Sequence, residues 1–87
     1  MSLKGMDTDA VRQLATQMNS AKDQIQHLQQ QLTTQLQNVN WIGPDREQFV
    51  SDWQGQHVPS LQNIISAIEA AATRATQNAT EQDQVSA

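Results

Sequence analysis

The sequence predicts an all-α fold, a two-helix antiparallel hairpin that dimerises into a four-helix bundle. Apolar residues recur at alternating steps of three and four, which is typical of helices that bury one narrow stripe. The 87 residues include only three glycines and two prolines, too few turn formers for a β-sandwich or barrel. A single Trp-Ile-Gly-Pro cluster at the midpoint supplies one sharp reversal. These observations together favour two long helices and one turn.

The first helix is predicted over residues 8–39. Asp7 and Asp9 offer an N-cap side chain and negative charge at the helix start, where the helix dipole favours it. The apolar stripe then continues to Val39. The glutamine-rich part of this stretch keeps its leucines in helical phase, so its glutamines are interpreted as solvated helix faces. Residues 1–6 are expected to form a disordered leader.

The turn is predicted at residues 40–43, and a second helix at residues 44–78. Pro44 suits the first position of a helix, because an N–H there would have no partner within the helix. Gly43 can adopt backbone conformations that other residues avoid, as a sharp reversal requires. The midpoint cluster is therefore interpreted as a hairpin turn.

The second helix is expected to be kinked near residues 55–59. Pro59 removes one backbone hydrogen bond and crowds the carbonyl four residues before it. The apolar stripe resumes afterwards, so a kink is favoured over a break. Residues 81–87 have lost the apolar face and are expected to be a flexible tail. The hairpin, residues 7–80, is thus predicted to be the only domain.

A thin core argues that the hairpin needs a partner. A two-helix scaffold without disulfides or metals gains almost no net stability from its own core. Pairing two hairpins into a four-helix bundle is the usual remedy. The seam of the hairpin and its dimer is predicted to consist of Val11, Leu14, Met18, Ile25, Leu28, Leu32, Leu61, Ile64 and Ile68.

The composition excludes several classes of function. The net charge is −4 and the five basic residues form no patch, which argues against nucleic-acid binding. Cysteine is absent, and no apolar run reaches the ~20 residues of a membrane span. His27 and His57 lack a firm third ligand, so no metal site is expected. No nucleophile or phosphate-loop pattern is present, so neither an enzyme, a cofactor nor a small-molecule substrate is expected.

The midpoint motif resembles that of a known family. Trp41-x-Gly43 in the turn of a helical hairpin, with Phe49 and Trp53 on the second helix, is similar to the WXG family of small type VII secretion substrates. These are proteins like the early secreted antigenic target of mycobacteria. The resemblance extends from about Asp7 to the end of the chain and includes "DTDAVRQLATQM" and "NATEQDQVSA".

The resemblance implies a homodimer or a heterodimer with a paralogous WXG-type protein. It implies a Gram-positive, actinobacterial type of protein that a membrane-embedded, ATPase-driven machine exports without a cleaved signal peptide. Such a protein acts as a secreted substrate or effector, or as a co-secreted chaperone. Trp41 and Gly43 would form the turn half of a recognition surface, beside the partner's C-terminal end. The family's Tyr-x-x-x-Asp/Glu export signal has no counterpart here, because the chain lacks tyrosine.

Two alternatives stay open at the level of sequence. Trp41 could plug the end of the hairpin instead of docking a partner, whereas Phe49 and Trp53 are interpreted as an aromatic core face of the second helix. The whole chain could also be an intracellular coiled-coil adaptor, because leucines at heptad spacing fit that role equally well. The partner could be a second copy or a paralogue.

Overall fold

Two long antiparallel helices make up the chain in a computed structural model that describes residues 5–86. The hairpin measures 64 × 17 × 14 Å, so it is a rod only one pair of helices across. The predicted all-α antiparallel hairpin is confirmed. The prediction of a disordered leader falls largely on residues 1–4, which lie outside the described residues, as does Ala87.

The first helix, α1, spans Thr8–Asn38. Asp7 caps it, since its carboxylate accepts a hydrogen bond from the Ala10 N–H at 3.1 Å. At the other end, Val39 leaves the helix in an extended conformation while its N–H still bonds to the Gln35 carbonyl. The helix therefore has a side-chain cap at its start and a simple extended exit into the turn.

The second long helix consists of three consecutive segments. Helix α2 spans Pro44–Asp52, a single π-helical turn spans Trp53–His57, and α3 spans Val58–Ser86. Where the sequence predicts a kink near residues 55–59, the structure has this wider turn, and the helix continues through it. The Val58 N–H bonds to the Trp53 carbonyl, five residues back, instead of the usual four.

Helix α3 extends beyond the predicted end at residue 78. Ala79 is completely buried against α1, and Asp83 accepts a hydrogen bond from the Arg12 guanidinium. These contacts hold the last turns of α3 against the start of α1, so part of the expected tail is helical. The seven-residue spacing of Ile65, Ala72 and Ala79 is the signal for this continuation.

Candidate interaction surface

The line of contact between α1 and α3 is built mainly from small and polar side chains. The buried residues are Ala15, Gln29, Ile65, Ala72 and Ala79. Ile65 is the only large aliphatic residue among them. Alanines allow the helices to approach closely but bury little apolar area each. The other bulky apolar side chains in residues 5–86 are half-buried or exposed.

The structure divides the nine predicted seam residues between two stripes. One group is half-buried between the helices: Val11, Met18, Ile25, Leu61 and Ile68. The other group stays exposed by about half of its surface: Leu14, Leu28, Leu32 and Ile64. The predicted seam covered the hairpin and its dimer together, and in the single hairpin only the first group lies between the two helices.

The exposed group lies on one side of the rod. An α-helix turns by about 100° per residue, so Leu14, Leu28 and Leu32 share a direction to one side of Ala15, which points to the other helix. Ile64 lies on the same side of Ile65 in α3. Because the helices are antiparallel, the residue just before a buried residue in α1 and the residue just before a buried residue in α3 lie on the same face of the hairpin. We define the front face as Leu14, Ala21, Leu28, Leu32, Val39, Ile64, Ala71, Ala75 and Asn78.

Polar side chains join the two helices along the opposite edge. Arg12 pairs with Asp83, and Lys22 pairs with Glu69 at 3.3 Å. The Arg12 guanidinium, by its hydrogen bond to the carboxylate, holds the pKa of Asp83 below the ordinary value for an aspartate. Exposed pairs of this kind add little stability, but they fix how the helices align along their length.

A third polar link lies nearer the turn. The Gln62 side chain donates a hydrogen bond to Gln29 Oε1, and Gln29 Nε2 donates to the Thr33 hydroxyl. The indole Nε1–H of Trp53 donates to the same hydroxyl at 2.9 Å. Gln29 is thereby satisfied although it is only 9% exposed. This network joins both long helices to the π turn, and the sequence analysis missed it because it followed the leucines.

Apolar side chains gather at the turn end of the front face. We define the turn-end cluster as Leu32, Leu36, Val39, Trp41, Phe49 and Trp53. The rings of Trp41 and Phe49 meet with centroids 5.4 Å apart and planes tilted by 58°. A groove of about 230 Å³ opens between Leu32, Leu36, Phe49 and Trp53. A wider depression of about 640 Å³ adjoins it and is also lined by Leu32, Leu36 and Phe49.

The predicted recognition turn, residues 40–43, lies at the end of this cluster. Gly43 has φ 130° and ψ 178°, a conformation open essentially to glycine alone, and its carbonyl accepts from the Glu47 N–H. Trp41 is 37% exposed with its ring against Phe49, while the neighbouring Ile42 is 91% exposed at the tip. Trp41 thus packs on the hairpin end and also presents part of its surface to solvent.

The two histidines lie in different surroundings. His27 is exposed on the outer side of α1 beside Gln30, Gln31 and Thr34. The ring of His57 stands 6.1 Å from that of Trp53. Within residues 5–86, no three histidine or carboxylate side chains come together as metal ligands would.

Comparison with protein-family models, with curated proteins and with solved structures found no match to this chain. Among the helices described here, none combines the length and apolarity that crossing a membrane requires. Residues 5–86 form an extended helical hairpin with many exposed apolar side chains.

Proposed function

We propose that this chain is a non-enzymatic binding protein whose front face is covered by a second copy of itself. The observation that carries the proposal is the position of its large aliphatic residues. Leu14, Leu28, Leu32 and Ile64 are each about half exposed on one face, while alanines fill much of the hairpin's own seam. A face that exposes several large apolar side chains is typical of a protein interface.

The shape of the front face favours an antiparallel second copy. Its turn half carries Leu28, Leu32 and Ile64, whereas its other half carries Ala21 and Ala71, with Leu14 as its one large aliphatic residue. A two-fold axis perpendicular to the rod would place the bulky half of each copy against the small half of the other. The four helices could then pack at even spacing, as a bundle requires.

The charge pattern favours a second copy over a differently charged partner. Each chain carries a net charge of −4, yet none of the front-face residues is charged. The ion pairs of Arg12 and Lys22 lie along the opposite edge. Two copies could therefore meet without placing like charges in the interface, and neither copy would bury an unpaired charge.

For the biological role, we propose a secreted substrate, effector or chaperone partner of a type VII secretion system. The support is the resemblance of Trp41-x-Gly43 to the WXG motif, at the turn of a helical hairpin. Trp41 has solvent-exposed surface available for docking. The membrane-embedded secretion ATPase would be the second partner, and a partner protein would supply the missing tyrosine signal.

An intracellular coiled-coil adaptor is the second candidate. The front face supports it equally, because a bundle-forming surface does not require export. Under this alternative, Trp41 stabilises the hairpin end through its contact with Phe49 and docks nothing. The two candidates therefore differ in what the exposed part of Trp41 does.

Export of a Trp41→Ala variant separates these roles. We expect Trp41→Ala to abolish secretion by the native host while the purified protein keeps its helical circular dichroism and its dimer. Gln54→Ala, a change of an exposed polar residue in the second long helix, should leave export unchanged. Normal export of folded Trp41→Ala protein would refute the docking role. Absence of wild-type protein from the medium would favour the adaptor.

Native mass spectrometry tests the identity of the partner independently. The purified chain alone should give a species of twice 9.7 kDa. A chain that stays monomeric alone and pairs only with a paralogous hairpin would overturn the assignment of a second copy. Neither result depends on whether the protein is exported.

A further inference from the structure

The second long helix contains one turn that does not follow α-helical geometry. Over Trp53–His57 the chain forms a π turn, in which the Val58 N–H reaches the Trp53 carbonyl five residues back. A π turn of this kind holds one residue more than an α turn. The segments before and after the π turn are therefore rotated about the helix axis, relative to each other, as they would be in an α-helix with one residue fewer between them.

That single residue changes which way the aromatic residues face. Ile65 is buried and marks the direction from α3 toward α1. Trp53 precedes it by twelve residues. At about 100° per residue, a continuous α-helix would place Trp53 about 120° away from that direction. With one residue left out of the count, Trp53 falls within about 20° of Ile65 and faces α1.

The contacts of the aromatic pair agree with the shifted phase. Trp53 donates its indole N–H to Thr33 on α1 at 2.9 Å. Phe49 lies one α-helical turn before Trp53, and it lines the groove together with Leu32 and Leu36 of α1. Without the shift, both rings would turn away from α1, and the turn-end cluster would lose two of its members.

We propose that residues 54–56 contain one residue too many for the register between the two long helices, and that the π turn absorbs it. Because of the π turn, Phe49 and Trp53 face α1, and the buried residues of α3, such as Ile65, face α1 as well. The inference rests only on contacts within the hairpin and is independent of the proposed function. It gives the π turn a positioning role for the turn-end cluster.

Pro59 offers a competing cause. Its ring crowds the carbonyl of Gly55, four residues before it, and a wider turn relieves such crowding. If the proline alone produced the π turn, the phase of Trp53 would be a by-product. Replacing Pro59 removes this local cause and leaves the register between the helices unchanged, so the two causes can be separated.

Gly55 is the residue whose removal disturbs least. It is exposed, and apart from its own stretch of helix backbone no heavy atom lies within 4 Å of the place where a side chain would begin. Deleting it removes the surplus residue and no side-chain contact. Ser66 is a matched control, because it is also exposed but lies in the regular α-helical part of α3, outside the interval from Trp53 to Ile65. Deleting Ser66 rotates the part of the helix that follows by about 100° relative to the seam and leaves the surplus residue in place.

The experiment compares thermal melts and the indole N–H signals of three variants by NMR. In a Pro59→Ala background, deletion of Gly55 should leave the melting temperature equal or higher. It should also retain the slowly exchanging indole N–H of Trp53, assigned by its response to Thr33→Ala. Deletion of Ser66 in the same background should abolish the cooperative melt. Pro59→Ala alone should retain the Trp53 signal.

Two results would overturn the proposal. One is a Gly55 deletion that destabilises the protein as strongly as the Ser66 deletion, or that loses the Trp53 hydrogen bond. The other is loss of that hydrogen bond in Pro59→Ala alone, because it would show that the proline, and not the register between the helices, holds the π turn. Retention of the signal and the melt in both variants supports the proposal.

Discussion

Leu28 is the residue at which the proposed self-association can be measured most directly. It is central in the front face and 55% exposed in the single hairpin. Complete burial of a leucine side chain contributes about 1.5–3 kcal/mol. About half of that remains to be gained at the interface, so each Leu28 should contribute about 1 kcal/mol.

Leu28→Ala changes both copies at once, so the loss doubles in the dimer. A total of about 2 kcal/mol weakens the dimerisation constant by about thirty-fold, since a factor of ten corresponds to about 1.4 kcal/mol. A cavity at the interface would add to this loss. Leu28→Asp should have a larger effect, because burying an unpaired carboxylate costs several kcal/mol more for each chain.

Sedimentation velocity over a concentration series is the appropriate assay. Wild-type protein should sediment as a dimer at micromolar concentration, Leu28→Ala should dissociate on dilution, and Leu28→Asp should be monomeric. Gln31→Asp is the control, because it introduces the same charge at an exposed position that contributes nothing to the front face. A Leu28→Asp protein that remains dimeric would refute the placement of the interface, and a monomeric wild type would refute its existence.

Two further predictions concern Gly43 in the turn and the ion pair between Arg12 and Asp83. Gly43→Ala should lower stability by about 1–3 kcal/mol, because its backbone conformation is open essentially to glycine alone. Gly55→Ala, which also meets no neighbour, should leave stability equal or higher, and similar melts for both would contradict the backbone argument. The Asp83 pair should stabilise the folded state above the ordinary aspartate pKa and lose that contribution as pH falls through the lowered value. In a carboxyl NMR titration, Arg12→Gln should raise the pKa of Asp83, and an unchanged pKa would refute the pairing.

The sequence alone was enough to predict where the helices begin and where the chain reverses. Asp7 caps the first helix, Pro44 begins the second, and Gly43 takes the glycine conformation that the reversal requires. Each of these depends only on neighbours along the chain, which is why the sequence analysis could place them. The heptad spacing likewise establishes two long helices, because any helix with that spacing presents an apolar stripe.

Only the tertiary structure decided which stripe the hairpin buries. Positions 14, 21 and 28 and positions 15, 22 and 29 both repeat every seven residues. The predicted seam took Leu14 and Leu28 from the first series. In the hairpin, Ala15 and Gln29 of the second series are buried, and Gln29 accepts a hydrogen bond from Gln62 across the seam. Leu14 and Leu28 stay about half exposed.

The phase of the second helix was likewise decided by packing. Pro59 predicted a disturbance near residues 55–59, but not its size or its consequence. Whether one residue is absorbed in a π turn depends on where α1 lies relative to Trp53, which is a contact between residues twenty positions apart. Sequence periodicity reports which residues share a face within one helix, whereas the relative rotation of two helices depends on how their surfaces fit together.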